Sequence, residues 1–225
     1  MENRLTELSY EDWLEHVFSH EIRKYQAAWH FDLDAPWWDG PPAMTVAYLT
    51  RLFEDPDPAL AYFADSQIAL GLHYLIDSGA GGYVLALSQS AVALQDRLRC
   101  LESIGTLFAH LFAPRCTPHL SHLDEPGAGP LNGICYMWWD IFPVGGPAGD
   151  PDGGAMDQAI LSVMEGMLDL PSPACQESAL HGLGHWQTRH SDQVGAIIDR
   201  FLSQHTGLRP ELAAYARAAR SGCVL

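Results

Sequence analysis

Between residues 191 and 204 the chain places Val194, Ile197, Ile198, Phe201 and Leu202 at i, i+3, i+4, i+7 and i+8. That is one apolar stripe of an α-helix, with Ser191 positioned as its N-cap. The same period recurs at Leu212, Tyr215, Ala216 and Ala219. There Pro210 marks the start and Gly222 the stop. Near the N-terminus, Ser9 caps a segment carrying Trp13, Val17, Ile22 and Tyr25. Residues 44–54, 58–77, 97–113, 156–169 and 174–189 also read as helices. Period-two alternation is scarce, and Gly82–Leu87 is the one strand candidate. Asp55–Pro58, Ser78–Gly82 and Pro171–Pro173 read as tight connections. Longer breaks fall at residues 114–130 and 143–154. The second, nearly all Gly, Pro and Asp, is predicted to be a mobile loop. The fold class expected is all-α.

Three of the helical segments align without gaps: Phe63 to His73, Cys100 to His110 and Cys175 to His185. Each has an acid at its third position (Asp65, Glu102, Glu177), then a serine (Ser66, Ser103, Ser178), then a histidine seven residues after the serine. The chain has four acid-serine dipeptides, and three of them carry this histidine. The starts lie 37 and then 75 residues apart, which is one period and two. A degenerate unit is therefore expected near Tyr136–Phe142. A period of this size in helical segments resembles the HEAT- or armadillo-like helical repeats. The resemblance implies a right-handed stack of helix pairs, an α-solenoid, of the kind generally used for binding. It transfers no catalytic residues. On this reading the chain is one domain. Residues 1–43 form an N-terminal cap, 44–205 carry degenerate repeats of about 37 residues, and 206–225 hold a C-terminal helix.

Composition narrows the partners. The chain has 225 residues, 48% apolar, and a formal charge of −16. The apolar share is enough for a sizeable core. The acidic balance argues against nucleic acid, which selects a Lys/Arg footprint, and against anionic membrane surfaces. No stretch has the roughly 18 consecutive apolar residues of a membrane span, and Met1–Tyr10 lacks the basic and apolar regions of a secretory signal. The five cysteines, Cys100, Cys116, Cys135, Cys175 and Cys223, form no C-x-x-C and read as reduced thiols of a cytoplasmic protein.

Several patterns could carry chemistry. Glu177-x-x-x-His181-x-x-x-His185 sets three metal ligands on one helix face. Glu177 and His185 are two turns apart, so one ion takes His181 with one of its neighbours more readily than all three. Asp12-x-x-x-His16-x-x-x-His20 repeats the spacing. Neither is the H-E-x-x-H of a zinc hydrolase. Cys116, His119 and His122 lie within seven residues of one loop, with Cys135 a conceivable fourth ligand. Against these stands the reading of the histidines as packing residues, so no metal is assigned; if one binds, the set is Glu177, His181 and His185. The repeated Ser–His pair lacks the G-x-S-x-G elbow of a hydrolase. Gly79–Gly82 and Gly145–Gly149 lack the lysine of a phosphate loop, and no cofactor is implied.

The tripeptide Trp-Trp-Asp occurs twice, at Trp37–Asp39 and at Trp138–Asp140. Successive helical residues point about 100° apart, so a binding reading puts at least one tryptophan of each pair in a groove or at the surface, where tryptophan is a frequent hot spot, against the alternative that these wide rings plug the ends of the stack or a gap in it. Trp37, Trp38, Asp39, Trp138, Trp139 and Asp140 are therefore the candidate binding residues. The functional expectation is a non-enzymatic protein-binding module with an acidic groove, one specific form being an inhibitor or immunity-type protein for a basic partner. The alternatives are a metal-dependent enzyme using the His/Glu helix and an oligomeric scaffold.

Overall fold

A computed structural model describes residues 4–22, 28–32, 34–143 and 152–224. Tyr25 and the centre of the Gly/Pro-rich 143–154 loop lie outside them. Among the described residues the regular structure is almost all helical, and the fold class is all-α. The longer elements are α1 (Tyr10–Phe18), α2 (Pro42–Glu54), α3 (Pro56–Leu60), α4 (Asp65–Ile76), α5 (Leu94–Leu107), α6 (Ala113–Arg115), α7 (Pro130–Ile141), α8 (Gly153–Met167), α9 (Pro173–Trp186), α10 (Ser191–Gln204) and α11 (Pro210–Arg220). Among the described residues, the strands are β1 (Arg4–Leu5) and β2 (Trp37–Trp38), paired in parallel with Arg4 opposite Trp37.

Local chemistry accounts for many of these boundaries. Ser9 caps α1 by accepting from the Asp12 amide at 3.1 Å. Proline occupies the first turn of α2, α3, α7, α9 and α11, where its missing N–H costs nothing. The expected helix 58–77 is broken before Asp65. There the Gln67 side chain turns back to the Ala64 amide at 3.0 Å and begins α4. Gly82–Leu87 is not a strand. Gly82 takes φ +61°, and the chain leaves it as a 3₁₀ helix, Tyr83–Ser88, that buries Tyr83, Val84 and Leu87. Val84 and Leu87 are three apart, a spacing that suits a three-residue turn. The helix from Leu94 widens into a π turn at Phe108–Phe112 before α6. That turn buries Phe108, Leu111 and Phe112 together.

Packing follows a regular order. α1 lies on α4, α4 on α7, α7 on α9 and α9 on α11; α2 lies on α5 and α5 on α8. α8 and α10 also touch α9. Helix α9 is therefore enclosed, and every residue from Ala174 to Gly184 is buried. This explains its composition. It has no polar face, small residues admit its neighbours, and its polar side chains need internal partners. Gln176 donates to the carbonyls of Leu168 and Leu170 at 3.2 and 3.0 Å.

The sequence repeat is not matched by a repeated environment. Glu177 is fully buried on α9, whereas Glu102 is exposed on α5. Ser103 bonds within its own helix, to the Cys100 carbonyl at 2.7 Å. His73 faces Asp77 at 3.6 Å, and His110 is exposed in the π turn.

Candidate metal centre

Helices α7 and α9 run alongside each other. At one end the Cys135 thiol reaches the Ala174 carbonyl at 3.6 Å; at the other, Asp140 faces His185. Gly182 permits this approach. A Cβ there would stand 2.7 Å from Met164 Sδ and from Cβ and Cγ of Trp139. The missing side chain lets the two helix backbones close, and the exposed end of α7 then lies over the second turn of histidines on α9.

Three side chains converge at that point. Nε2 of His181 and Nε2 of His185 lie 3.1 Å apart, and Asp140 Oδ1 lies 3.3 Å from His185 Nε2. All three ligand atoms fall within 4.8 Å of one another, the one such group of His, Cys, Asp and Glu among the described residues. For two imidazoles on a tetrahedral zinc, metal–nitrogen bonds of about 2.0–2.1 Å imply a nitrogen–nitrogen distance of roughly 3.3 Å. The pair is thus already at ligating separation. His181 is 1% exposed, while the His185 and Asp140 side chains are 39% and 41% exposed. The cluster has a protein wall on one side and solvent on the other.

The His181 ring is held from behind. Its Nδ1 meets the Tyr215 hydroxyl of α11 at 2.7 Å, and that hydroxyl meets Tyr136 Oη at 3.1 Å. Burial, and then the neighbouring His185, push the His181 pKa down to about 4, so the ring is neutral near pH 7. Burial raises the Tyr215 phenol, so it remains an O–H.

Glu177 is not in the cluster. Its buried carboxylate accepts from the amides of Ser121 and His122 at 2.9 and 3.0 Å and from His122 Nδ1. It caps the 3₁₀ turn Ser121–Leu123, and the His122 ring it holds stacks on Tyr215 at 4.2 Å. The candidate set Glu177, His181, His185 therefore changes by one member. Asp140 takes the place of Glu177, which sits a turn too low and is already committed.

The other spacings do not assemble. His119 Nδ1 turns to Thr117 Oγ1 at 2.8 Å, His122 turns to Glu177, and Cys135 is buried against the thiols of Cys116 and Cys175. Along α1, Asp12 joins the Ser9 cap, and His20 Nε2 donates to the His16 carbonyl at 2.6 Å while stacking on Trp29.

Of the tryptophans read as binding residues, only Trp37 is at the surface, 49% exposed with Arg4 over its ring; Asp39 pairs with the same Arg4. Trp38 is buried and stacks on Tyr48. Trp138 and Trp139 are both buried, against the expectation of one outward ring. The reason is that α7 is covered on several sides at once. Trp138 packs among Phe53, Phe108, Phe112 and Phe142, and Trp139 against Phe108 and Phe142. Asp140, the exposed third residue of that tripeptide, belongs to the cluster. No sequence signal marked Asp140, Tyr136 or Tyr215 as neighbours of the α9 histidines, because the link between them is tertiary. Comparison with protein-family models, with curated proteins and with solved structures finds no match.

Proposed function

We propose that the chain binds a divalent transition-metal ion, zinc above all, through His181 Nε2, His185 Nε2 and Asp140 Oδ1. The observation that carries this reading is the 3.1 Å approach of the two Nε2 atoms beside the Asp140 carboxylate. Two imidazoles and a carboxylate suit zinc or ferrous iron. Three protein ligands with a solvent-facing side leave coordination positions for water or an external ligand. That is the pattern of a reactive metal centre; structural zinc is closed by four protein ligands. The chain is read accordingly as a metal-dependent protein of the enzyme type. A protein-binding reading keeps Trp37 and Asp39 as its exposed residues and stands behind this one.

The same reading takes the helix order as a stack of pairs. α1, α4, α7, α9 and α11 make one row, and α2, α5 and α8 make another. The alternation of neighbours supports it. Such a stack would present the ends of α7 and α9 side by side, where the ligands lie.

The test is elemental analysis of untagged protein after dialysis against zinc and removal of free ion. About one zinc per chain is expected. Alanine at both His181 and His185 should reduce it to background. Substoichiometric metal in the parent protein, or an unchanged content in the double variant, would overturn the reading.

A further inference from the structure

We propose that Tyr215 is the positioning residue of the Asp140–His181–His185 centre, setting the tautomer in which His181 offers a lone pair to the metal. The inference rests on the metal reading above and adds how that site is tuned.

The argument follows the protons. A carboxylate only accepts, so the approach of Asp140 Oδ1 to His185 Nε2 at 3.3 Å favours the tautomer with the proton on that nitrogen. His181 Nε2, 3.1 Å from the same atom, then accepts that proton through the lone pair it would turn to a metal. A neutral imidazole carries one proton, so that of His181 is on Nδ1 and is donated to the Tyr215 oxygen at 2.7 Å. The Tyr215 O–H is left to donate to Tyr136 Oη at 3.1 Å. This one assignment gives His185–His181, His181–Tyr215 and Tyr215–Tyr136 each a donor and an acceptor, with Asp140 sharing the His185 proton. It leaves the buried ring already in its ligating form. Metal entry then requires a change only at the half-exposed His185, whose proton moves from Nε2 to Nδ1 through solvent with no net release.

Tyr215 is suited to this work by its setting. Its ring stacks at 4.2 Å on His122, which Glu177 holds, and lies parallel to the His181 ring with centroids 6.5 Å apart. Its hydroxyl therefore has little freedom to leave His181. Outer partners of this kind orient metal-bound histidines, and their loss commonly costs about 10- to 100-fold in affinity.

The experiment uses the full chain with zinc ion as the probe and has two readouts. Tyr215→Phe removes one oxygen and keeps the packed ring. Calorimetric titration should show zinc binding roughly 10- to 100-fold weaker than in the parent protein, with Tyr136→Phe, which frees only the far end of the row, losing less. Nitrogen-15 spectra of the metal-free protein should place the His181 proton on Nδ1 in the parent and show a mixture of the Nδ1–H and Nε2–H tautomers in Tyr215→Phe. Zinc affinity in Tyr215→Phe within about twofold of the parent, or a parent His181 protonated on Nε2, would overturn the proposal. If the parent protein takes up no zinc, the metal reading itself fails, and the tautomer spectra still decide whether Tyr215 governs His181.

Discussion

Asp140 and His185 meet across the α7–α9 seam at 3.3 Å, although nothing in their sequence neighbourhoods pairs them. Asp140 shares a tripeptide with two core tryptophans, and His185 ends a run of buried residues on α9. The contact divides the acidic groups near the histidines into two kinds. Asp140 is half in solvent and free to ligate, whereas Glu177 is buried and spends its oxygens on Ser121 and His122.

Two substitutions should separate these roles. Asp140→Asn is expected to lower zinc affinity by more than the roughly 10- to 100-fold typical of losing an outer partner, with little change in metal-free stability. Glu177→Ala is expected chiefly to lower metal-free stability, with a smaller loss of zinc affinity passed on through His122 and Tyr215. It strands two backbone amides, at about 1–3 kcal/mol for a buried group left unsatisfied. Chemical denaturation in chelator, paired with calorimetric zinc titration, reads both.

Gly182 is the hinge of the geometry in a packing sense. Gly182→Ala sets a methyl 2.7 Å from Trp139 Cβ, an atom fixed to the α7 backbone. The helices must separate, at roughly 1–3 kcal/mol for overpacking. Asp140 should move from the histidines with them. Thermal unfolding should fall, and zinc affinity should fall alongside it.

The two tryptophan pairs make opposite forecasts. Trp138→Ala empties a site surrounded by four phenylalanines and should cost about 3–5 kcal/mol in denaturant unfolding. Trp37→Ala, at a half-exposed site, should stay within about 0.5 kcal/mol.

Acid should weaken the metal-free fold in a defined window. Burial holds His181 and His16 at pKa values of about 4, against about 6.5 when unfolded. Above pH 6.5 both are neutral in either state and contribute no slope. As pH falls from 6.5 to 4 the unfolded chain takes protons that the folded chain refuses, so stability falls with pH. For the fully covered His181 the slope approaches about 1.4 kcal/mol per pH unit; His16, more open to solvent, adds less. Urea unfolding in chelator across this range should show the decline, and His181→Asn should flatten it.

What the sequence made legible was the periodic part of the molecule. The stripes of α10 and α11, the Ser9 cap and Pro210 at the start of α11 all report local geometry, and local geometry is written locally. Helix α9 was harder. A helix enclosed on every side loses its polar face, so its Glu, His and Ser read as a repeat and as one metal-ligand face, when Glu177 and His181 are core groups bonded inward and only His185 reaches solvent. The two histidines of the candidate centre were visible through their spacing on one face. The carboxylate was not, because Asp140 reaches them only through the α7–α9 packing that Gly182 allows. The paired tryptophans misled for a related reason. The angular argument assumes a helix with one buried side, and α7 has several.

The most direct test of the central claim is an anomalous difference map, at the zinc edge, from crystals of the full chain grown with zinc. The account predicts one strong peak about 2.0–2.2 Å from His181 Nε2, His185 Nε2 and Asp140 Oδ1, with its remaining positions open to solvent. Absence of a peak there at saturating zinc, or a bound ion at Cys116 and His119 instead, would contradict it.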